Sequence, residues 1–170
     1  MRNKKALIIV VVVVVVIAGA TLLAGVLGGS SAGTSTIGTT DPQAADESAA
    51  SSTVAAFGQT LQQVSIMAPN AADMIASTYA PYVATALLQQ WEADPQSAPG
   101  RVVSSPWPDH IQIDSITPQG SGYVVNGELV FMTSNEVENG GNAGTTPVVI
   151  QLANENGTWQ IVAFQGQNSQ

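Results

Sequence analysis

The 170-residue sequence contains no cysteine and a single histidine, His110. Disulfides, thiolate metal ligands and the lipidated cysteine of a bacterial lipoprotein are therefore excluded, as is any multi-histidine metal site. Charge is scarce too. Asp, Glu, Lys and Arg make up 9% of the residues, against about 25% in an average soluble domain. Three of the four basic residues, Arg2, Lys4 and Lys5, lie in the first five positions. Beyond them Arg101 is the one Lys or Arg among twelve acids, all at or after Asp41. That balance excludes a basic face for nucleic acid. No cofactor motif is present, and no cofactor is expected.

What the chain does have is one long apolar run. Residues 6–27, ALIIVVVVVVVIAGATLLAGVL, carry no charge over 22 positions, and fifteen of them are Leu, Ile or Val. A helix of that length spans about 33 Å, enough for a hydrocarbon core of about 30 Å. In lipid the β-branched stretch Val10–Val16 satisfies its backbone only as a helix. The rival reading is a cleaved signal peptide, with Ala18-Gly19-Ala20 or Ser30-Ser31-Ala32 as the cleavage site. Signal-peptide apolar regions are usually about 7–15 residues, shorter than this one. Under either reading the basic flank, residues 1–5, stays in the cytoplasm and the rest lies outside. The expectation is a single-pass protein of the cell membrane that contacts the bilayer through residues 6–27.

Residues 28–52 hold one large apolar residue, Ile37, amid Gly, Ser, Thr and Ala. Such a segment offsets little of its conformational entropy by burial, which predicts a disordered linker. All nine aromatics fall in residues 53–166, the expected extracytoplasmic domain, followed by a short tail, 167–170. From Thr53, residues Val54, Phe57, Leu61 and Val64 share a helix face opposite Gln59, Gln62 and Gln63, with Ser52 or Thr53 as N-cap. Asn70 and Asp73 resemble a capping box for a second helix lined by Met74, Ile75 and Tyr79. Pro81 starts or kinks a third piece carrying Tyr82, Val83, Leu87, Leu88 and Trp91. Regular structure should be scarce across Glu92–Pro108, which holds Pro95, Pro99, Gly100, Pro106 and Pro108.

After that segment the period changes to two. His110–Asp114 alternates with Ile111 and Ile113 on one face. In Gly122–Ser134, Tyr123, Val125, Leu129 and Phe131 face one way and Val124, Val130 and Met132 the other. Thr146–Ala153 and Thr158–Phe164 flank Asn156-Gly157, a strong hairpin signal. Helices followed by four strands in a meander predict an α+β fold: helices packed on a curved four-stranded antiparallel sheet. This order of elements, ending in Gly157-x-Trp159-x-Ile161, resembles the NTF2-like (cystatin-like cone) superfamily in its membrane-anchored bacterial form. The resemblance covers roughly residues 53–166 and brings with it no catalytic motif of the superfamily's enzymes.

Candidate chemistry concentrates in Arg101 and Ser104–His110. Asp109 and His110 have the composition of an acid–base pair beside Ser104 or Ser105. Adjacent strand residues point to opposite faces, however, which argues against Asp109 orienting its neighbour's imidazole. Trp107 is expected to plug the open end of the sheet. Arg101 is expected to pair with Glu92, Asp94 or Asp109 and pin the Pro-rich corner, with anion binding as the sharper alternative. Arg101, Trp107 and His110 are the candidate ligand-binding residues; no catalytic or metal-binding residue is assigned. Glu128, Glu136 and Glu138, with Asp114, form a possible acidic strand face that lacks a Ca²⁺ loop motif. Asn156-Gly157-Thr158 matches a glycosylation sequon but has a turn's own reason to be there. Tyr79, Tyr82 and Trp91 at helical spacing read as core.

Three functions fit: a non-catalytic membrane-tethered domain binding a protein partner in the cell envelope, a component of an envelope secretion or conjugation apparatus, or a small-molecule pocket enzyme. All three share one topology. Protease added to intact cells or spheroplasts should digest the C-terminal domain; complete protection would overturn that topology.

Overall fold

The computed structural model describes residues 41–166. The basic flank, the expected span, the first part of the expected linker and the tail lie outside the described residues. Among the described residues no helix is long and apolar enough to cross a membrane.

The first helix, α1, runs Pro42–Thr60. The expected linker therefore ends at the start of α1, and its last eleven positions, 42–52, are helical. Two local signals produce this start. Asp41 is the N-cap, its carboxylate accepting from the Gln43 N–H at 3.0 Å, and Pro42 occupies the first turn where its missing N–H costs nothing. Small residues then suffice for packing, since Ala50 is fully buried. Ser52 and Thr53, the expected caps, are mid-helix and turn their hydroxyls back to the Ser48 and Ala49 carbonyls at 2.8 and 3.1 Å. The predicted apolar face holds: Val54, Phe57, Leu61 and Val64 are all buried.

After a 3-10 turn, Leu61–Gln63, come α2, Ala71–Tyr79, and α3, Thr85–Ala93. Asn70 sits at the N-cap of α2 without a side-chain bond, so the expected box with Asp73 does not form. Backbone contacts close the start instead, Ala71 N–H donating to the Ala68 carbonyl and Met74 N–H to that of Asn70. Pro81 lies in the turn before α3, as do Tyr82 and Val83, while Trp91 is the buried residue within the helix.

Four strands follow: β1, Trp107–Gln119; β2, Gly122–Met132; β3, Gly144–Glu155; and β4, Thr158–Gln165. They form an antiparallel sheet in the order β1-β2-β3-β4, the helices packed with it. This is the expected α+β arrangement. The β3–β4 turn is the predicted Asn-Gly pair, with Asn156 at φ 55° and Gly157 at φ 87°. Strand β1 is longer than its alternating core because it is an edge strand, where Pro108 and Pro118 withhold no N–H that a second neighbour requires. A short helix, α4, Ser134–Asn139, interrupts β2 and β3 and carries Glu136 and Glu138. The acidic strand face expected from Glu128, Glu136 and Glu138 is therefore absent. Thr133 and Glu136 cap α4 reciprocally, and this local bonding overrides the extended pattern.

Bulges decide which side chains face the helices. In β4 the pairing jumps from Gln151–Ala163 to Leu152–Ile161, leaving Val162 as the extra residue. Ile161 and Phe164, three apart, then both reach the core. In β1 the extra residue Asp114 does the same for Ile113 and Ile116. The free edge of β4 is tied down by the helical layer. Ile161 N–H donates to the Tyr82 carbonyl at 2.8 Å, and the Ile161 carbonyl accepts from Ala84 at 3.0 Å. Thr53 Oγ1 donates to the Trp159 carbonyl at 3.3 Å.

The core centres on Phe57. Its ring lies 5.0 Å from Tyr79, 6.4 Å from Tyr82, 6.2 Å from Trp91 and 6.1 Å from Phe164. The Tyr79 hydroxyl, pushed well above its ordinary range by burial, donates to the Pro99 carbonyl at 2.7 Å and ties α2 to the Pro-rich corner. Next to Phe57, Gly58 brings α1 onto β1 so closely that an added Cβ would lie 2.7 Å from the Ile111 amide nitrogen.

Two stability changes follow. Gly58→Ala, which gains about 1 kcal/mol in an exposed helix, should instead cost about 1–3 kcal/mol here through overpacking. A variant that unfolds at higher urea than the wild type would refute the close approach. Trp159→Ala should cost about 3–5 kcal/mol as a large-to-small core change. A loss below about 1 kcal/mol, the range of surface substitutions, would show that Trp159 is not packed.

Candidate functional site

The start of β1 gathers two of the three candidate residues. Trp107 pairs with Met132, Pro108 with Phe131 and His110 with Val130, so Asp109 is an extra residue in the register. Opposite residues of a pair share a face. Trp107 and His110 therefore lie on the sheet face that carries Met132 and Val130, away from Phe131 and Leu129. Val130 is buried although it lies on that outer face.

The bulge corrects the expectation about Asp109. In regular strand geometry Asp109 and His110 would point apart, but two residues now oppose one and their side chains converge. Asp109 Oδ2 lies 2.8 Å from His110 Nδ1. Both side chains remain accessible, 45% for His110 and 32% for Asp109. With Nδ1–H donating to Asp109, a neutral imidazole keeps its lone pair on Nε2, an oriented acceptor on an open surface. Ser104 and Ser105 are exposed in the segment before β1 and form no side-chain bond to this pair among the described residues. Among the three surface clefts described, of about 390, 280 and 260 Å³, none is lined by Trp107, Asp109 or His110. The pair thus presents polar ring and carboxylate atoms on an accessible part of the sheet.

Arg101 is held elsewhere. Its N–H donates to the Val64 carbonyl at 2.8 Å, and its carbonyl accepts from Ile66 at 3.1 Å. The corner is thus pinned through the Arg101 backbone. Among the described residues the guanidinium forms no ion pair with Glu92, Asp94 or Asp109, contrary to expectation. Met67, Val102 and Val103 are exposed near this bridge.

No known protein family, curated protein or solved structure matches the chain. The site is therefore judged on its own geometry. Tyr79 and Trp91 are buried and Tyr82 is half-buried against them, so these rings fill the interior as expected. Among the described residues no group of three or more His, Asp or Glu is placed to hold a metal ion. Asp114 occupies a bulge in β1, Glu128 pairs across from Gln112, and Glu136 and Glu138 belong to α4.

The sequence reading missed a cleft of about 390 Å³ lined by Gln43, Asp46, Pro118, Gly120, Ser121, Gly122, Tyr123 and Trp159. Two of its three polar rim residues, Gln43 and Asp46, fall within the expected linker. The signal that could have found it is Asp41-Pro42, a helix start eleven residues before Ser52.

The α4 cap is the acid-sensitive element. Glu136 accepts from Thr133 N–H at 2.9 Å, from the Thr133 hydroxyl, and from Asn135 Nδ2 at 3.2 Å. The Thr133 hydroxyl bond is the leading cause that holds its carboxyl below the ordinary value of 4.5. A lowered folded value means that the cap is fully formed above pH 4.5 and is lost as pH falls through the lower folded value. Amide exchange in Ser134–Asn139 should therefore accelerate in that acid window, and Glu136→Gln should flatten the pH response. An identical response in the variant would refute the assignment.

Proposed function

We propose that this chain is a single-pass membrane protein whose C-terminal domain, held outside the membrane, works by non-catalytic binding of a partner in the cell envelope. The observation that carries this reading is the filled interior. Phe57, Tyr79, Trp91 and Phe164 occupy the space between helices and sheet where an α+β cone would hold a small molecule. A ligand entering there would have to displace buried rings, each costing about 3–5 kcal/mol by the scale of core truncations. Binding is thereby directed to the surface. The NTF2-like reading is supported by the order of elements, helices first and then an antiparallel meander. The membrane reading rests on the uncharged run 6–27 and its basic flank.

A second reading has one observation in its favour, the 2.8 Å Asp109–His110 contact, which has the form of an oriented general base. The two readings part on a single substitution. His110→Gln, at an accessible site, should change stability by less than about 1 kcal/mol. Expressed at wild-type level in a deletion strain, it should restore the phenotype fully. A variant that is stable but inactive would displace the non-catalytic reading in favour of acid–base chemistry at His110.

A further inference from the structure

The cleft between the start of α1 and the β1–β2 turn has a composition that selects its occupant. Tyr123, Trp159 and Pro118 supply an apolar wall, and Gln43, Asp46 and Ser121 a polar rim. The wall is rigid. Tyr123 and Trp159 pack edge to face at 5.1 Å, and the Tyr123 hydroxyl donates to the Gln43 carbonyl at 3.2 Å. Both rings are more than nine-tenths buried.

The sign of the charge at this site is equally defined. Asp46 lines the cleft. Asp41 and Glu47 stand with it at the start of α1, and burial, then the charges of Asp46, Glu47 and Asp41, raise the pKa of the Tyr123 hydroxyl. The partial positive charge of the α1 N-terminus is engaged in part by Asp41, the N-cap. None of the three carboxylates forms an ion pair among the described residues. Arg101 is bonded to Val64 and Ile66, beyond the far end of the 19-residue α1, about 28 Å along its axis. The negative potential is left for something outside the domain.

We propose that this cleft receives a cationic side chain, a lysine ammonium or an arginine guanidinium, presented by a partner polypeptide. Such a side chain has an apolar stem for the Tyr123–Trp159–Pro118 wall and a charged head for Asp46. An anion is repelled by the three carboxylates. A cleft open to solvent leaves room for the backbone from which the side chain projects, and the partner surface around it supplies the remaining affinity. The proposal rests on the binding-domain reading above and names the chemistry of its partner.

The test uses the full chain in uncharged detergent micelles with ¹⁵N-labelled tryptophan, so that the Trp91, Trp107 and Trp159 indoles report separately. End-blocked Gly-Lys-Gly and Gly-Arg-Gly peptides are the probes, Gly-norleucine-Gly is the neutral control, and choline stands for a lipid headgroup. The Trp159 indole should shift saturably with both cationic peptides, in the millimolar range expected of one exposed contact. Trp91 and Trp107 should not move. The shift should fall several-fold in Asp46→Asn and at about 1 M salt, where the screening length is about 3 Å. Ser121→Lys, which places a cation of the chain's own at the rim, should abolish it, with the unmoved Trp91 indole reporting an intact fold. An equal shift with norleucine, a shift with choline alone, an unaltered response in Asp46→Asn, or no response at all would each overturn the proposal. None of these outcomes bears on His110→Gln, so the cleft can fail while the binding-domain reading stands.

Discussion

Phe57 meets aromatic rings from three directions, and the arrangement of the domain follows from keeping those contacts. Tyr79 reaches it from α2, Trp91 from α3 and Phe164 from β4. These rings also touch one another, Tyr79 and Trp91 at 6.0 Å and Trp91 and Phe164 at 6.3 Å. The constraint propagates. Phe164 attains the inner face only because β4 bulges at Val162, and α1 lies close enough to β1 only because residue 58 lacks a Cβ. One aromatic side chain thus couples helix placement to the register of the last strand.

The same packing explains why the surface carries the candidate chemistry. The interior between helices and sheet is occupied by rings, and two surface features lie toward opposite ends of β1. At its start Trp107, Asp109 and His110 share the outer face. At its end Pro118 and the turn to β2 meet the first turns of α1. Bulges at Asp109 and Asp114 intervene, so the two ends answer to different local geometry.

Alternating residues and the Asn156-Gly157 turn were legible in the sequence because they are short-range: side-chain period and turn conformation depend on neighbours along the chain. The position of Tyr79 and Trp91 in the core was legible for the same reason. Bulges were not, since an extra residue is defined by the partner strand. That is why strand alternation separates Asp109 from His110 while the bulge joins them in the fold. The start of α1 escaped a reading based on large apolar residues, because its first turns are anchored by an Asp cap, a buried alanine and one carbonyl bonded to Tyr123. Arg101 was recognised as important to its corner, but the work is done by its amide and carbonyl, which any residue carries.

No carboxylate, guanidinium or imidazole is buried among the described residues. Unfolding in acid ordinarily draws on ionisable groups whose native surroundings resist protonation, and a core of this kind offers it little leverage. Twelve acids, with Arg101 alone among Lys and Arg after residue 5 to offset them, repel one another at neutral pH, and protons remove that repulsion without reaching Phe57 or its neighbours. Acid thus unpicks the small α4 cap while relaxing the electrostatic tension of everything around it. A domain built in this way would keep its shape through wide swings of acidity.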